Sequence, residues 1–189
     1  SDVCSSDLRV EPMLKRLELL GSHPALFLLR SSLSSHRFLH ILRCADTRRH
    51  EDVLKKIDLM FEKILAKILN IDFGFSQLQQ ARLPTRMGGL GVRSLLDLAG
   101  PCILSSSHAS SRMIQELLSE DLFASFDSNL MALVQDFCTQ GRTAPEKKHR
   151  QKEWDAIPCL ERKTALSRSL DSNSARARFL AVSSPGASH

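Results

Sequence analysis

Apolar residues return every three or four positions along most of this chain. The pattern is most regular in HEDVLKKIDLMFEKILAKILNI, residues 50–71. There Val53, Ile57, Met60, Phe61, Ile64, Leu65, Ile68 and Ile71 fall on one side of a helix. Glu51 and Asp52 open the segment and Lys63 and Lys67 stand late in it, the order that a helix dipole favours. The same spacing predicts a short helix from Val10 to Leu20, closed by Gly21. It predicts a longer one from Pro24 to about Cys44, capped by Ser22, with Leu26, Leu29, Leu33, Phe38, Ile41 and Leu42 turned to a core. Residues 72–92 break the pattern, because Pro84, Gly88, Gly89 and Gly91 crowd into a stretch that a continuous helix does not tolerate.

A helix is expected to resume near Val92 and to end or kink at Gly100-Pro101. Residues 101–118 read as helical around the serine-rich SSSHASS. Residues Asp121 to about Thr139 form a further candidate helix carrying Leu122, Phe123, Phe126, Leu130, Leu133, Val134 and Phe137. GRTAPEKKHR, residues 141–150, reads as a polar linker, and two short, weakly amphipathic helices follow it.

Composition agrees with helices. Tyr is absent, Trp occurs once and Val is sparse beside Leu, whereas strands favour β-branched and aromatic residues. The expected fold class is therefore all-α: an irregular helical bundle over residues 9–140, a linker at 141–150 and a loosely attached helical segment at 151–189. No apolar run reaches the roughly 18 residues of a membrane span, and no leader with a basic start and apolar centre opens the chain. Cys44, Cys102, Cys138 and Cys159 are scattered without a C-x-x-C pair, which suits reduced thiols in the nucleus or cytoplasm. No initiator Met is present, and the chain reads as cut at both ends. The first eight residues, SDVCSSDL, match the conceptual translation of a common sequencing-adapter end. They are set aside as an adapter-derived artefact rather than a native polar tail.

The net charge is +5. Residues 141–189 carry ten Lys/Arg against five Asp/Glu, so much of the excess lies there. Residues 30–93 carry twelve against six. Such a balance suits nucleic-acid contact but is equally ordinary on a solvated helix face.

The candidate chemistry is mostly excluded. RMGGLGV lacks the Lys and Ser/Thr that a phosphate-cradling loop needs after its last Gly, and fails the dinucleotide pattern too; a tight turn needing positive φ accounts for it. His36, His40 and Cys44 recur at i, i+4 and i+8, a legitimate start for a zinc site. The acid of H-E-x-x-H is missing, however, and His23 could supply a fourth ligand only if the chain folded back. No G-x-S-x-G elbow marks a nucleophile. Two-metal phosphoryl transfer needs clustered carboxylates, and the sequence contains no Asp-Asp; Glu51-Asp52 and Glu120-Asp121 stand at helix starts, where dipole compensation explains them. No catalytic residue, metal ligand or resident cofactor is assigned.

Four stretches, in order, resemble the region beyond the catalytic palm in non-LTR retrotransposon reverse transcriptases, which are RNA-directed DNA polymerases of mobile elements. LFLLRSSLSSHRFLHILRC resembles the family's leucine-rich helix ending in an Arg motif, and EDVLKKIDLMFEKILAKIL the long helix after it. QLQQARLPTRMGGLGVRSLLDLAGPCILSS is the most diagnostic piece, a Gln-Ala-x-Leu-Pro lead into Gly-Gly-Leu-Gly, Arg-Ser and Ala. KEWDAIPCLERKTALSRSLDSNSARARFLAVSSPGAS resembles a downstream Trp-Asp start and Ala-Arg-rich helix; the Trp-Leu and Leu-Pro that usually follow are absent.

The resemblance covers most of residues 17–189. It implies a thumb-like bundle and connection that grip the backbone of an RNA/DNA template–primer duplex beside the missing fingers and palm. Mg²⁺ would be the parent enzyme's metal, not this fragment's. By the same likeness, Arg30, Arg37, Arg43, Arg48, Arg49, Lys55, Lys56, Arg82, Arg86 and Arg93 become the candidate backbone contacts. No residue matches a catalytic position, so the fragment is expected to be inactive alone. The competing expectation is a basic helical interaction or scaffold domain with no nucleic-acid role.

Overall fold

The computed structural model describes residues 11–139 and 141–184, so the expectation for residues 1–8 lies outside the described residues. Every regular element among the described residues is helical and none is a strand: the chain is an all-α protein. In order these are α1 (residues 11–17), α2 (Ser22–Leu28), a π-helical turn (Leu29–Leu33), α3 (Ser35–Cys44), a 3₁₀ turn (Thr47–His50) and α4 (Glu51–Leu69). Then come α5 (Phe75–Ala81), a second 3₁₀ turn (Thr85–Met87), α6 (Leu95–Leu117), α7 (Glu120–Cys138), α8 (Gln151–Ser169) and α9 (Asn173–Val182).

The most periodic stretch gives the expected helix. α4 buries Leu54, Ile57, Phe61, Ile64, Leu65 and Ile68, each worth about 1.5–3 kcal/mol out of water. Asn70 ends it in the left-handed conformation, at φ 50° and ψ 48°.

Three boundaries differ from the sequence expectation, each for a local reason. Gly21 does not close α1; it stands extended ahead of α2 as its N-cap residue, so Ser22 is the first helical residue and not the cap. The single helix expected from Pro24 to Cys44 is interrupted at Ser34, whose backbone is at φ −87° and ψ −130°. Serine side chains compete for backbone partners there, and Ser31 Oγ donates to Phe27 O at 2.7 Å. As a result Ile41 is exposed, while Ala25, Leu29, Phe38 and Leu42 are buried.

The third difference is the largest. Gly100-Pro101 ends nothing: α6 runs 23 residues with Pro101 inside it. The lost N–H bond and ring clash cost about 3 kcal/mol in an interior turn. Burial of Leu98, Cys102, Ile103 and Leu104 around that turn offsets the penalty, at about 1.5–3 kcal/mol for each large apolar side chain.

The chain divides into two compact units. The first comprises Ser1–Phe38, His50–Leu96 and Cys159–His189, and the second Leu39–Arg49 and Asp97–Pro158. The division therefore falls within α3, the first 3₁₀ turn, α6 and α8. In the first unit the Phe38 and Phe61 rings meet edge-on at 6.1 Å, and a separate cluster joins Leu83 to Leu166 of α8 and Phe179 of α9. In the second unit Leu104, Leu130, Phe137 and Trp154 form the core. Ala144 from the expected linker and Ile157 pack against it.

Candidate nucleic-acid interface

The segment that carries the family resemblance is built as a closed turn within the first unit. Leu90 N donates to Ala81 O at 3.1 Å and Gly91 N to Leu83 O at 3.0 Å, doubling the chain back on itself. Gly88 and Gly91 sit at φ 83° and 76°, where a side chain is strained. Gly89 is required for a different reason: a Cβ there would collide with the backbone carbonyls of Leu83 and Gln80.

Beyond the turn, Val92, Arg93 and Ser94 are buried and lead into α6. α4 holds the start of α6 in place. The Asp58 carboxylate accepts from Ser94 Oγ at 2.5 Å and from the Leu95 and Leu96 backbone N–H groups at 2.8 and 3.4 Å. It thus satisfies donors that a helix start leaves orphaned. Burial pushes the Asp58 carboxyl above its ordinary range, against these hydrogen bonds and the nearby Arg82 charge, which pull it down. Sequence reading passed over Asp58. Its signal was an acid lying between Ile57 and Phe61 on the apolar side of α4.

The ten cations expected to touch phosphate divide between the units and meet different fates. In the first unit Arg82 pairs with Glu62, both side chains only about a fifth exposed. Arg93 is buried and donates from Nη1 to Cys159 Sγ at 2.9 Å. Lys55 pairs with Glu51 at 2.8 Å in the open. Arg37 faces solvent, and its Nη1 lies 3.0 Å from the Met13 sulfur. Arg30 is half-buried, its stem passing over Gly91. Lys56 and Arg86 are exposed and in no ion pair among the described residues. Lys63, two turns beyond Lys56 on α4, is also exposed and is not among the ten.

In the second unit Arg48 is committed internally. Its Nε and Nη2 grip the Asp46 carboxylate at 2.8 and 3.2 Å, and Nη1 reaches Asp136 at 2.8 Å. The hydrogen bond from Arg48 holds the Asp46 carboxyl below its usual range. Arg49 is well exposed, with Asp46 at 3.8 Å. Arg43 donates twice to the neutral Gln151 Oε1, at 3.2 and 2.7 Å, so its position is fixed without its charge being cancelled.

The His36, His40, Cys44 series gives one side-chain contact, Cys44 Sγ lying 3.8 Å from His40 Nδ1. Among the described residues no group of three or more His, Cys, Asp or Glu is arranged to hold a metal ion. No described helix is long and apolar enough to cross a membrane. No family model, curated protein or solved structure matches the chain.

Proposed function

We propose that the chain is a non-catalytic portion of a reverse transcriptase of the non-LTR retrotransposon kind, its thumb and connection, which grips a template–primer duplex by its backbone. The observation that carries this reading is the segment QLQQARLPTRMGGLGVRSLLDLAG, residues 77–100. The fold gives a physical reason for its pattern. Gly88, Gly89 and Gly91 are demanded by the turn, Ser94 by the Asp58 cap, and Leu83 and Ala99 by burial.

Backbone contact positions a duplex without reading sequence, and needs cations that are fixed yet not neutralised. Arg30, Arg37, Lys56 and Arg86 of the first unit and Arg43 of the second are in no ion pair among the described residues, and Arg43 is also held in place by Gln151; Arg49 is well exposed, 3.8 Å from Asp46. Arg48, Arg82 and Arg93 are engaged inside the fold. Polymerisation requires clustered carboxylates holding two cations about 3.5–4 Å apart, and no such cluster is in the sequence. Mg²⁺ and catalysis would belong to the fingers and palm of the parent, acting in the nucleus or cytoplasm.

Two measurements test the reading. Incubated with primer–template, dNTPs and Mg²⁺, the chain extends nothing; extension would contradict the reading. In filter binding, an RNA–DNA hybrid is retained at low ionic strength, and log K falls linearly with log salt. Absent binding, or a flat response, would favour the interaction or scaffold reading instead. An upstream reading frame encoding an Asp-Asp hairpin would identify the parent enzyme.

A further inference from the structure

The strongest concentration of uncancelled charge lies outside the residues from 30 to 93. Of the six residues Lys147, Lys148, His149, Arg150, Gln151 and Lys152, four are Lys or Arg and a fifth is His. All but Gln151 are exposed, and none of these cations is in an ion pair among the described residues. Glu146 and Glu153 flank the tract but do not bind it. Arg43, distant in sequence, is brought beside it through its double hydrogen bond to Gln151.

This is not a floppy basic tail. Arg150 N donates to Lys147 O at 3.0 Å, and the indole N–H of the fully buried Trp154 donates to Lys148 O at 2.7 Å. Phe137 meets the Trp154 ring edge-on at 5.1 Å and His108 stacks on it at 5.9 Å, so the anchor is itself fixed. The charges also sit where their own helix disfavours them. Arg150 immediately precedes α8 and Lys152 lies in its first turn, at the positive end of the dipole. A backbone held rigid to display mutually repelling cations is relieved by an anion with several charges.

We infer that the Trp154-anchored tract Lys147–Lys152, together with Arg43, is a second nucleic-acid contact. It would bind one strand through successive phosphates. Residues 145–153 contain no apolar side chain besides the half-buried Pro145, which disfavours a membrane surface, where Trp, Phe or Leu must enter the lipid boundary. The site is independent of the turn at 83–94. It can therefore stand or fall separately from the grip proposed for the first unit.

The single tryptophan of the chain touches this tract and reports on it. The Lys148 charge, after burial, also helps to hold the His108 imidazole below its ordinary range. An anion at Lys148 should therefore raise the His108 pKa and alter Trp154 emission. The test titrates the full chain with oligo(dT) longer than the roughly 16-nucleotide footprint of a single-strand-binding fold. Trp154 emission and the anisotropy of a labelled copy are followed together.

The wild-type chain should show a saturable change in both. The variant Lys147→Gln/Lys148→Gln/Arg150→Gln/Lys152→Gln, with an unchanged melting curve, should bind more than tenfold more weakly at low salt. Its log–log salt slope should be shallower by about 2.8, at about 0.7 per lost single-strand phosphate contact. The variant Lys15→Gln, at an exposed cation of α1 that pairs with Glu11 and lies outside both proposed contacts, should leave the emission change intact. Equal affinity of the fourfold variant and wild type would overturn the inference. So would an emission change produced by phosphatidylserine vesicles and not by the oligonucleotide. If the fourfold variant melts early, the single Lys148→Gln and Arg150→Gln variants must each weaken binding, and failure of both overturns it equally.

Discussion

Residues 83–94 and residues 141–150 both interrupt the helical pattern with Gly and Pro, and both carry several cations. The first segment turns its arginines inward: Arg93 is buried against Cys159, and the neighbouring Arg82 meets Glu62, leaving Arg86 outside. The second lies against an inward indole and turns Lys147–Arg150 outward, with Trp154 fixing the backbone beneath them, while Arg142 lies over the Phe137 ring. Residues 83–94 hold two Lys/Arg and residues 141–150 hold four. The difference lies in whether an acid or a sulfur waits nearby in the fold. Counting basic residues therefore overstates the first segment as a ligand surface, because one of its two arginines is buried.

The comparison predicts unequal sensitivity to substitution. Trp154→Ala should cost the second unit about 3–5 kcal/mol, as for other large-to-small core changes, read by denaturant unfolding with circular dichroism. Trp154→Phe, which keeps a ring and abandons Lys148 O, should cost about 1–3 kcal/mol. If the two variants are equally mild, the anchor is not what holds the tract.

Glycine substitution should separate the segments next. Gly89→Ala must displace the Leu83 and Gln80 carbonyls, and about 2–3 kcal/mol is expected. Gly141→Ala meets nothing within 4 Å and pays only for φ 73°, about 1 kcal/mol. Equal losses would show that the 83–94 turn is looser than its hydrogen bonds imply.

Acid should act on the two units in opposite directions. Asp58 has its folded pKa raised above 3.8, so its contribution to the first unit is fully present below that value and is lost as pH rises through the folded pKa. Asp46 has its folded pKa lowered, and its contribution to the second unit is lost as pH falls from 3.8 through the folded value. His108 adds to this. Burial and Lys148 lower its pKa, so stability present above 6.5 falls away as pH drops below it. Hydrogen exchange of α4 and α7 amides between pH 7 and 2.5 reads the units separately. Parallel changes in both would refute these assignments.

The smallest effects concern the charges themselves. Lys148→Gln should change stability by no more than about 0.5 kcal/mol, whereas Arg82→Gln should cost about 1 kcal/mol through the half-buried pair with Glu62. Thermal melts of the two variants give the ratio, and a larger loss for Lys148→Gln would reverse the distinction between the segments.

Much of the fold was legible because periodicity is a local signal. The apolar face of α4 and the Phe126, Leu130, Leu133, Phe137 series of α7 stand in the sequence at helical spacing. What escaped depends on distant partners. Nothing local says that burial around Leu98–Leu104 carries α6 through Pro101, or that Leu83 lies in one cluster with Leu166 and Phe179. The candidate site was legible as a list of cations but not as a surface. Glu62 sits twenty positions from Arg82 and Gln151 more than a hundred from Arg43. Asp58 reads as one more acid on an amphipathic helix until Ser94 and Leu95 arrive beside it.

The central claim is that outward cations, rather than basic composition as such, grip a nucleic-acid backbone. Its most direct test is the salt slope of RNA–DNA hybrid binding for the wild-type chain beside Lys56→Gln/Arg86→Gln. Each lost phosphate contact on a duplex should make the log–log slope shallower by about 0.9, so the double variant should differ by about 1.8 while keeping its helical content. A double variant with the wild-type slope and affinity would contradict the claim.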